Sequence, residues 1–234
     1  MGLPASQVMA RSFCTTLVLL PLLVLGQPGA NDPTFNPDDR GYSSFGTSEV
    51  FDIAIQPDGK ILITGWVGLY NGISCNRVAR LKADGTLDDS FVAGGGLDNG
   101  PKTTIEIQQD GKLITGGYDL RGVVRFNSDG SVDAGFIGGN LMNWDFTSGG
   151  YVMALEQQPD GRILVGGSFA YYNGQTRRSL VRLQSNGSLD PSFNAGNFIY
   201  DVRAIEAQPD GRILVAGNIL SGSYEYRVAR LDPG

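Results

Sequence analysis

The chain of 234 residues contains no histidine. A His-containing nucleophilic triad and a His-ligated metal are therefore excluded. Carboxylates are the remaining catalytic resource. Glu106, Glu156 and Glu206 stand at the same place in three copies of an internal repeat, with Ala54 in the fourth. Three carboxylates converging on one axis could hold a hard cation such as Ca²⁺. The plainer reading of the same residues is a hydrated polar channel without a fixed ion. Gln56, Gln108, Gln158 and Gln208 follow these positions by two residues. They share a strand face with them and could add amide oxygens or hydrogen-bond between repeats. Arg80, Arg125, Arg182 and Arg230 also recur once per repeat, and each could pair with the Asp of an Asp-x-x-Phe sequence (Asp88 to Phe91, Asp133 to Phe136, Asp190 to Phe193). A pair present in every repeat reads as structural, because active sites are asymmetric. Asp58, Asp110, Asp160 and Asp210 are accounted for by turn geometry. A hydrolase or lyase would need non-repeated carboxylates close together. Asp98, Asp119 and Asp145 are the loop candidates, and nothing in the sequence gathers them. Cys75 has no base to activate it and, once a leader carrying Cys14 is removed, no disulfide partner. It reads as an incidental loop residue.

These residues are positioned by one stretch written four times: Gln56-Pro57-Asp58-Gly59-Lys60-Ile61-Leu62-Ile63-Thr64-Gly65 and its copies from Gln108, Gln158 and Gln208. The period is near fifty residues, the mark of a repeat architecture. An alternating segment precedes each copy, as in Thr104-Ile105-Glu106-Ile107-Gln108, and reads as a strand with one buried face. The Asp-Gly pair then predicts a hairpin in which both turn residues take positive φ, leading into an apolar second strand. A third strand (Arg77 to Leu81, Gly122 to Phe126, Ser179 to Leu183, Arg227 to Leu231) is followed by a second turn pair. A short fourth strand ends in Asp-x-x-Phe. Four antiparallel strands per repeat make a propeller blade, and the 34 glycines suit the many tight turns. The fold class is all-β, a β-propeller of four blades of roughly fifty residues and four strands each. The last repeat stops after its third strand, while Asp32-Pro33-Thr34-Phe35 is an Asp-x-x-Phe with no blade before it. If Thr34 and Phe35 pair beside Val228 to Leu231, the chain closes a small ring. The alternative is a piece of a larger ring.

The order of landmarks, Gln-Pro-Asp-Gly-Arg-Ile-Leu-Val-Gly-Gly, then Arg-Leu, then Asn-Gly-Ser-Leu-Asp-Pro-Ser-Phe, resembles the delta-60-type repeat of bacterial exported proteins. The resemblance covers Asn31 to Gly234. It implies a β-propeller, bacterial export, and commonly more repeats than four. It implies no established activity.

Residues 1–30 read as a secretory signal: one charge at Arg11, an apolar run from Phe13 to Leu25, then small residues. The run is short for a bilayer span, and no later segment could span one. The mature domain is then residues 31–234, secreted, at the cell surface or periplasmic. A net charge of −6 with scattered Lys and Arg speaks against nucleic acid as a partner. Sequence variation collects opposite the Asp-Gly turns. There lie Trp66, Tyr70 and Tyr172 between second and third strands, and Trp144 and Phe146 in a link between repeats. Aromatic rings with Asn and Gly suit a glycan or a surface protein. The alternative is that the rings plug gaps between blades. The expectation is a binding or surface structural module, with an acidic hydrolase or lyase acting on polysaccharide, or a fragment of a longer propeller, as alternatives.

Overall fold

A computed structural model describes residues 30–37, 49–94, 100–118, 122–143, 149–196, 199–221 and 224–233. The signal segment, apart from Ala30, lies outside them. Met1–Pro33 and Thr34–Gly234 are separate compact units, and the architecture below is that of the second. Among the described residues no helix is long and apolar enough to cross a membrane.

The first repeat forms β1 (Val50–Ile55), β2 (Ile61–Gly65), β3 (Leu69–Tyr70), β4 (Ile73–Ser74) and β5 (Val78–Leu81). The second forms β6 (Lys102–Ile107), β7 (Leu113–Gly117) and β8 (Val123–Phe126), and β9 (Leu141–Met142) lies in the link that follows. The third forms β10 (Tyr151–Gln157), β11 (Ile163–Ser168), β12 (Tyr171–Tyr172), β13 (Gln175–Thr176) and β14 (Leu180–Leu183). The fourth forms β15 (Ile199–Ala207), β16 (Ile213–Ser221) and β17 (Tyr224–Leu231). The blade sheets are β1-β2-β5, β6-β7-β8, β10-β11-β14 and β15-β16-β17, all antiparallel.

Each blade therefore has three strands where four were expected. The fourth is reduced to one bridge, Leu81 to Leu87, Phe126 to Val132 and Leu183 to Leu189. The Asp that follows turns the chain, with the Phe91 amide donating to the Asp88 carbonyl at 3.1 Å. The phenylalanine then leaves its own sheet. Gly130 of the next blade is packed so closely against Phe91 and Val92 that a Cβ there would collide, and Phe136 and Ile137 meet Gly187 in the same way. Phe35 and Asn36 take this place at Gly85, with the Asn36 amide 2.7 Å from the Asp84 carbonyl. Phe35 is thus seated on the first blade. The expected strand beside Val228 to Leu231 is not formed among the described residues, and β17 is an edge of its sheet.

The Asp-Gly turns also differ from expectation. Gly59, Gly111, Gly161 and Gly211 have φ near +80° to +84°, but the preceding aspartates do not have positive φ. The Gly59 amide donates to the Gln56 carbonyl at 2.9 Å and the Gln56 amide to the Lys60 carbonyl at 2.8 Å. This is a three-residue loop, a type I turn closed by a left-handed glycine, and Pro57 suits its second position. Asp58 accepts the Lys60 amide at 3.2 Å.

The cores lie between blades. Leu62, Val78, Phe91 and Ala93 meet Ile105, Leu113, Val124 and Phe126 at the first joint. Ile114, Val123 and Leu141 meet Val152, Leu155 and Ile163 at the second. Leu164, Leu180 and Phe193 meet Val202, Ile213 and Val215 at the third. Every first strand carries a bulge at the same register, between Val50 and Asp52, Lys102 and Thr104, Val152 and Ala154, and Val202 and Ala204. The bulge presses a carbonyl against the glycine opposite. A Cβ on Gly167 would run into the Tyr151 oxygen, which is why glycine holds this place in all four second strands, at Gly65, Gly117, Gly167 and Gly217.

Candidate functional site

The repeated charges are spent on the joints. Arg80 donates through Nε to Asp88 at 2.8 Å and through a terminal nitrogen to the Ser128 carbonyl of the next blade at 2.6 Å. Its guanidinium lies over Phe91, 4.8 Å from the ring centroid. Arg125 repeats this with Asp133, the Ser185 carbonyl and Phe136, and Arg182 with Asp190, the Pro233 carbonyl and Phe193. The expected Arg–Asp pairing is therefore present in three blades, and it fastens each blade to its successor. A turn residue completes each cluster: Lys60, Lys112 and Arg162 reach Asp88, Asp133 and Asp190 at 3.1, 2.8 and 3.3 Å. The Lys112 ammonium, helped by the Gly135 amide and Arg125, brings the Asp133 carboxyl down to about 2 against its burial. Burial works to raise Asp88, but the Ser90 hydroxyl, Lys60 and Arg80 outweigh it and hold that carboxyl far below the usual range.

The inner-strand carboxylates face the same task. Glu106 accepts the Gln157 amide of the following blade at 2.8 Å, and Glu156 accepts the Ala207 amide at 3.4 Å. In the first blade Asp52, two residues earlier in register than Glu106, accepts the Ile105 amide at 2.9 Å. Burial, with the charge of Glu156 behind it, raises Glu106 to about 7 despite the amide donor. Among the described residues no three His, Cys, Asp or Glu side chains come close enough together to hold a metal ion. Glu106, Glu156 and Glu206 are spread one per blade, and the first two are already engaged. The amide oxygens of Gln56, Gln108, Gln158 and Gln208 are buried beside them. Asp98, Asp119 and Asp145 lie outside the described residues.

The aromatic candidates divide. Tyr172 is fully buried, and its hydroxyl donates to the Gly187 carbonyl at 3.2 Å. Burial pushes its phenol up to about 12. It is a core residue, which corrects the expectation that placed it on a binding face. Tyr70 is half-buried and donates to the Gly85 carbonyl at 2.7 Å. Both belong to small hairpins, β3–β4 and β12–β13, closed by Asn71-Gly72 and Asn173-Gly174 with positive φ at both residues. Those are the type I′ turns. The hairpins reach back to the second turn of their own blade, and Asn71 donates to Asn36 at 2.7 Å. Cys75 packs under the first of them against the Val67 and Leu81 cluster, and burial raises its thiol. Trp144 and Phe146 lie outside the described residues.

Trp66 remains on the surface opposite the Asp-Gly turns, partly exposed, with Arg77 4.8 Å from its ring centroid. Three further rings stand with it, Tyr118 and Tyr151, which the sequence reading passed over, and Tyr200 of a link between repeats. Tyr118 follows β7 as Trp66 follows β2, and it bridges to Tyr151 at the start of β10. Their rings are 4.4 Å apart and tilted by 46°. Tyr200 is exposed near the start of β15. First strands begin, and second strands end, away from the Asp-Gly turns, so all four rings share that end of the sheets. Aligning the four copies sets Trp66 and Tyr118 at one position, where the other two copies have Ser168 and Asn218. A recess of about 280 Å³ beside Arg125 and Asp133, lined by Val132, Phe136 and Asn140, holds only charges already paired.

Antiparallel sheets repeated at a fifty-residue period, with cores packed between successive sheets, define a protein of the β-propeller class. The chain belongs to the family described as "domain of unknown function (DUF5122) beta-propeller", matched at residues 56–91, 108–136, 158–193 and 208–234. This agrees with the delta-60-type resemblance. No curated protein matches the chain. Among solved structures it is similar to a streptogramin B lyase, at 15% identity and a TM-score of 0.52, covering 80% of this chain and 56% of that one. It is also similar to the extracellular domain of a B. thetaiotaomicron protein described as a one-component system, at 12% identity and 0.38, covering 84% and 29%. A Bacteroides caccae protein of unknown function matches at 13% identity and 0.31, covering 79% and 78%. The chain thus spans little more than half of the first of these and under a third of the second. At these identities the likeness is one of fold.

Proposed function

We propose that the chain is an exported propeller module that works by binding, through the surface opposite its Asp-Gly turns. The observation that carries this is the division of labour among its residues. The repeated charges are consumed in fastening blades together and the tyrosines of the Tyr-Asn-Gly hairpins in bonding their own blade's second turn, whereas Trp66, the Tyr118–Tyr151 pair and Tyr200 keep partly exposed ring faces at one end of the sheets. Flat rings on a rigid frame, next to the segments where the repeats differ, suit a glycan or a surface protein. The leader-like residues 1–30 support a role outside the cytoplasm.

The test is a glycan array and a pull-down with wild type, Trp66→Ala, Tyr118→Ala and, as control, Arg212→Ala on the turn side. A central ring is worth on the order of 2 kcal/mol of binding, so each aromatic variant should lose roughly thirtyfold in affinity. Arg212→Ala should bind normally. Loss only in Arg212→Ala would put the site on the wrong end. A well-folded protein with no ligand would leave the structural reading.

A further inference from the structure

One contact across the joint between the second and third blades is made by two phenols. Tyr118 follows β7 in the second blade, Tyr151 opens β10 in the third, and their backbones form a bridge. Residues opposed in this way carry their side chains as neighbours on one face. The ring centroids are 4.4 Å apart and the planes are tilted by 46°, so the rings touch at van der Waals distance. Tyr118 is 41% exposed and Tyr151 is partly exposed. The pair faces solvent rather than a core.

The repeat does not account for this pair. Counted from the bulges and the glycines opposite them, the places of Tyr118 and Tyr151 are held by Trp66 and Pro101 at the joint before, and by Ser168 and Asp201 at the joint after. Both of those joints are built without two phenols. The joint that has them is otherwise fastened by reversible bonds, Arg125 to the Ser185 carbonyl and Glu106 to the Gln157 amide. Residues 31–234 hold one cysteine, Cys75, so no disulfide can form among them. A covalent tie of another kind would serve an exported domain as disulfides serve others.

We propose that Tyr118 and Tyr151 are a site of oxidative coupling, at which a one-electron oxidant of the haem-peroxidase class, supplied with hydrogen peroxide, ties the second blade to the third. Each phenol gives up one electron and its hydroxyl proton and becomes a phenoxyl radical. The two electrons and two protons reduce one hydrogen peroxide to two waters. The radicals join their unpaired electrons in one carbon–carbon bond between ring carbons ortho to the hydroxyls. The hydrogen on each joined carbon then passes to the oxygen of its own ring, which restores both aromatic rings and both hydroxyls. The product differs from the starting pair by the loss of two hydrogen atoms. The new bond closes a loop of about thirty residues and so restricts the unfolded chain, as a disulfide does. This covalent state of the pair does not rest on the binding reading above.

The test treats the full mature chain, at low micromolar concentration, with a haem peroxidase and one equivalent of hydrogen peroxide, in buffer and in urea. Trypsin then releases Tyr118 in residues 113–121 and Tyr151 in residues 126–162, each the sole tyrosine of its peptide. In buffer the two peptides should appear joined, at their summed mass less two hydrogen atoms, with the blue fluorescence of a coupled biphenol. In urea the joined peptide should all but vanish. Tyr118→Phe and Tyr151→Phe keep the ring packing and should keep the circular dichroism spectrum, and each should abolish the joined peptide. The coupled protein should melt roughly 5–15 °C above the untreated one, from the loop it closes. No joined peptide in buffer, equal coupling in urea, coupling of Tyr118 to Tyr200 as readily as to Tyr151, a joined peptide that survives Tyr151→Phe, or an unshifted melt would each overturn the proposal.

Discussion

Replacing Glu106 by Gln isolates the cost of one buried charge. Burial raises this carboxyl from 4.5 to about 7, with the charge of Glu156 adding to the rise and the Gln157 amide opposing it. In the unfolded chain it titrates at its ordinary value, so the unfolded state gives up its proton first as the pH rises. Stability from this group is therefore full below about pH 4.5, falls as the pH climbs towards 7, and levels off above it. At about 1.36 kcal/mol per pH unit the span amounts to about 3 kcal/mol at most, out of roughly 5–15 for a whole domain. Gln keeps the oxygen that accepts the Gln157 amide and cannot ionise. The window is clear of histidine, since the chain has none. Among the described carboxylates Glu156 shares the upward direction, through burial and the charge of Glu206. Asp133 acts with the opposite sign and elsewhere: lowered to about 2, it stabilises above about pH 4 and loses that contribution as the pH falls to 2. Urea unfolding of wild type and Glu106→Gln in steps from about pH 4.5 to 8.5 gives the curve. The two proteins should agree at the acid end, and the variant should gain up to about 3 kcal/mol by pH 8. A difference that stays constant across the range would refute the burial argument.

Arg125→Met should cost about 3 kcal/mol in urea unfolding, because it takes the Arg125 partner from the buried Asp133 carboxylate, which keeps Lys112 and the Gly135 amide, and strips the Ser185 carbonyl of that donor; Arg212→Met, on an exposed pair with Asp210, should cost under about 1 kcal/mol. Gly167→Ala should lower stability by at least about 3 kcal/mol in the same assay, since the bulge carbonyl of Tyr151 occupies the place of the new methyl. Gly161→Val, at φ +84°, should cost roughly 1–3 kcal/mol from backbone strain, read as a fall in melting temperature.

The repeat, the strand order and the Arg–Asp pairs were legible because they depend on spacing within one repeat. The Asp-Gly turns were recognised by place but not by type. Pro57 at the second position pointed to a type I turn, and the Asn71-Gly72 and Asn173-Gly174 pairs, not the Asp-Gly pairs, carry the type I′ geometry. That signal also marked Tyr70 and Tyr172 as hairpin residues, which explains why one is half-buried and the other sealed. The partners of Glu106 and Glu156 could not be read, because they are backbone amides about fifty residues away and any side chain leaves an amide there. The reduced fourth strand was hidden for a related reason. Phe91 and Phe136 look like strand residues in their own repeat, and only the next blade reveals where they pack.

Because each joint is built from one blade's trailing residues and the next blade's leading ones, blade number is a free variable of this design. A duplicated repeat inserted after Ala93 would meet a socket it already fits and offer one its successor already fills. Gene duplication by unequal recombination could then lengthen the array one blade at a time, without any compensating substitution. Each added joint would bring its own Arg–Asp–Phe cluster, so stability would rise roughly in proportion to joints made rather than depend on one central core.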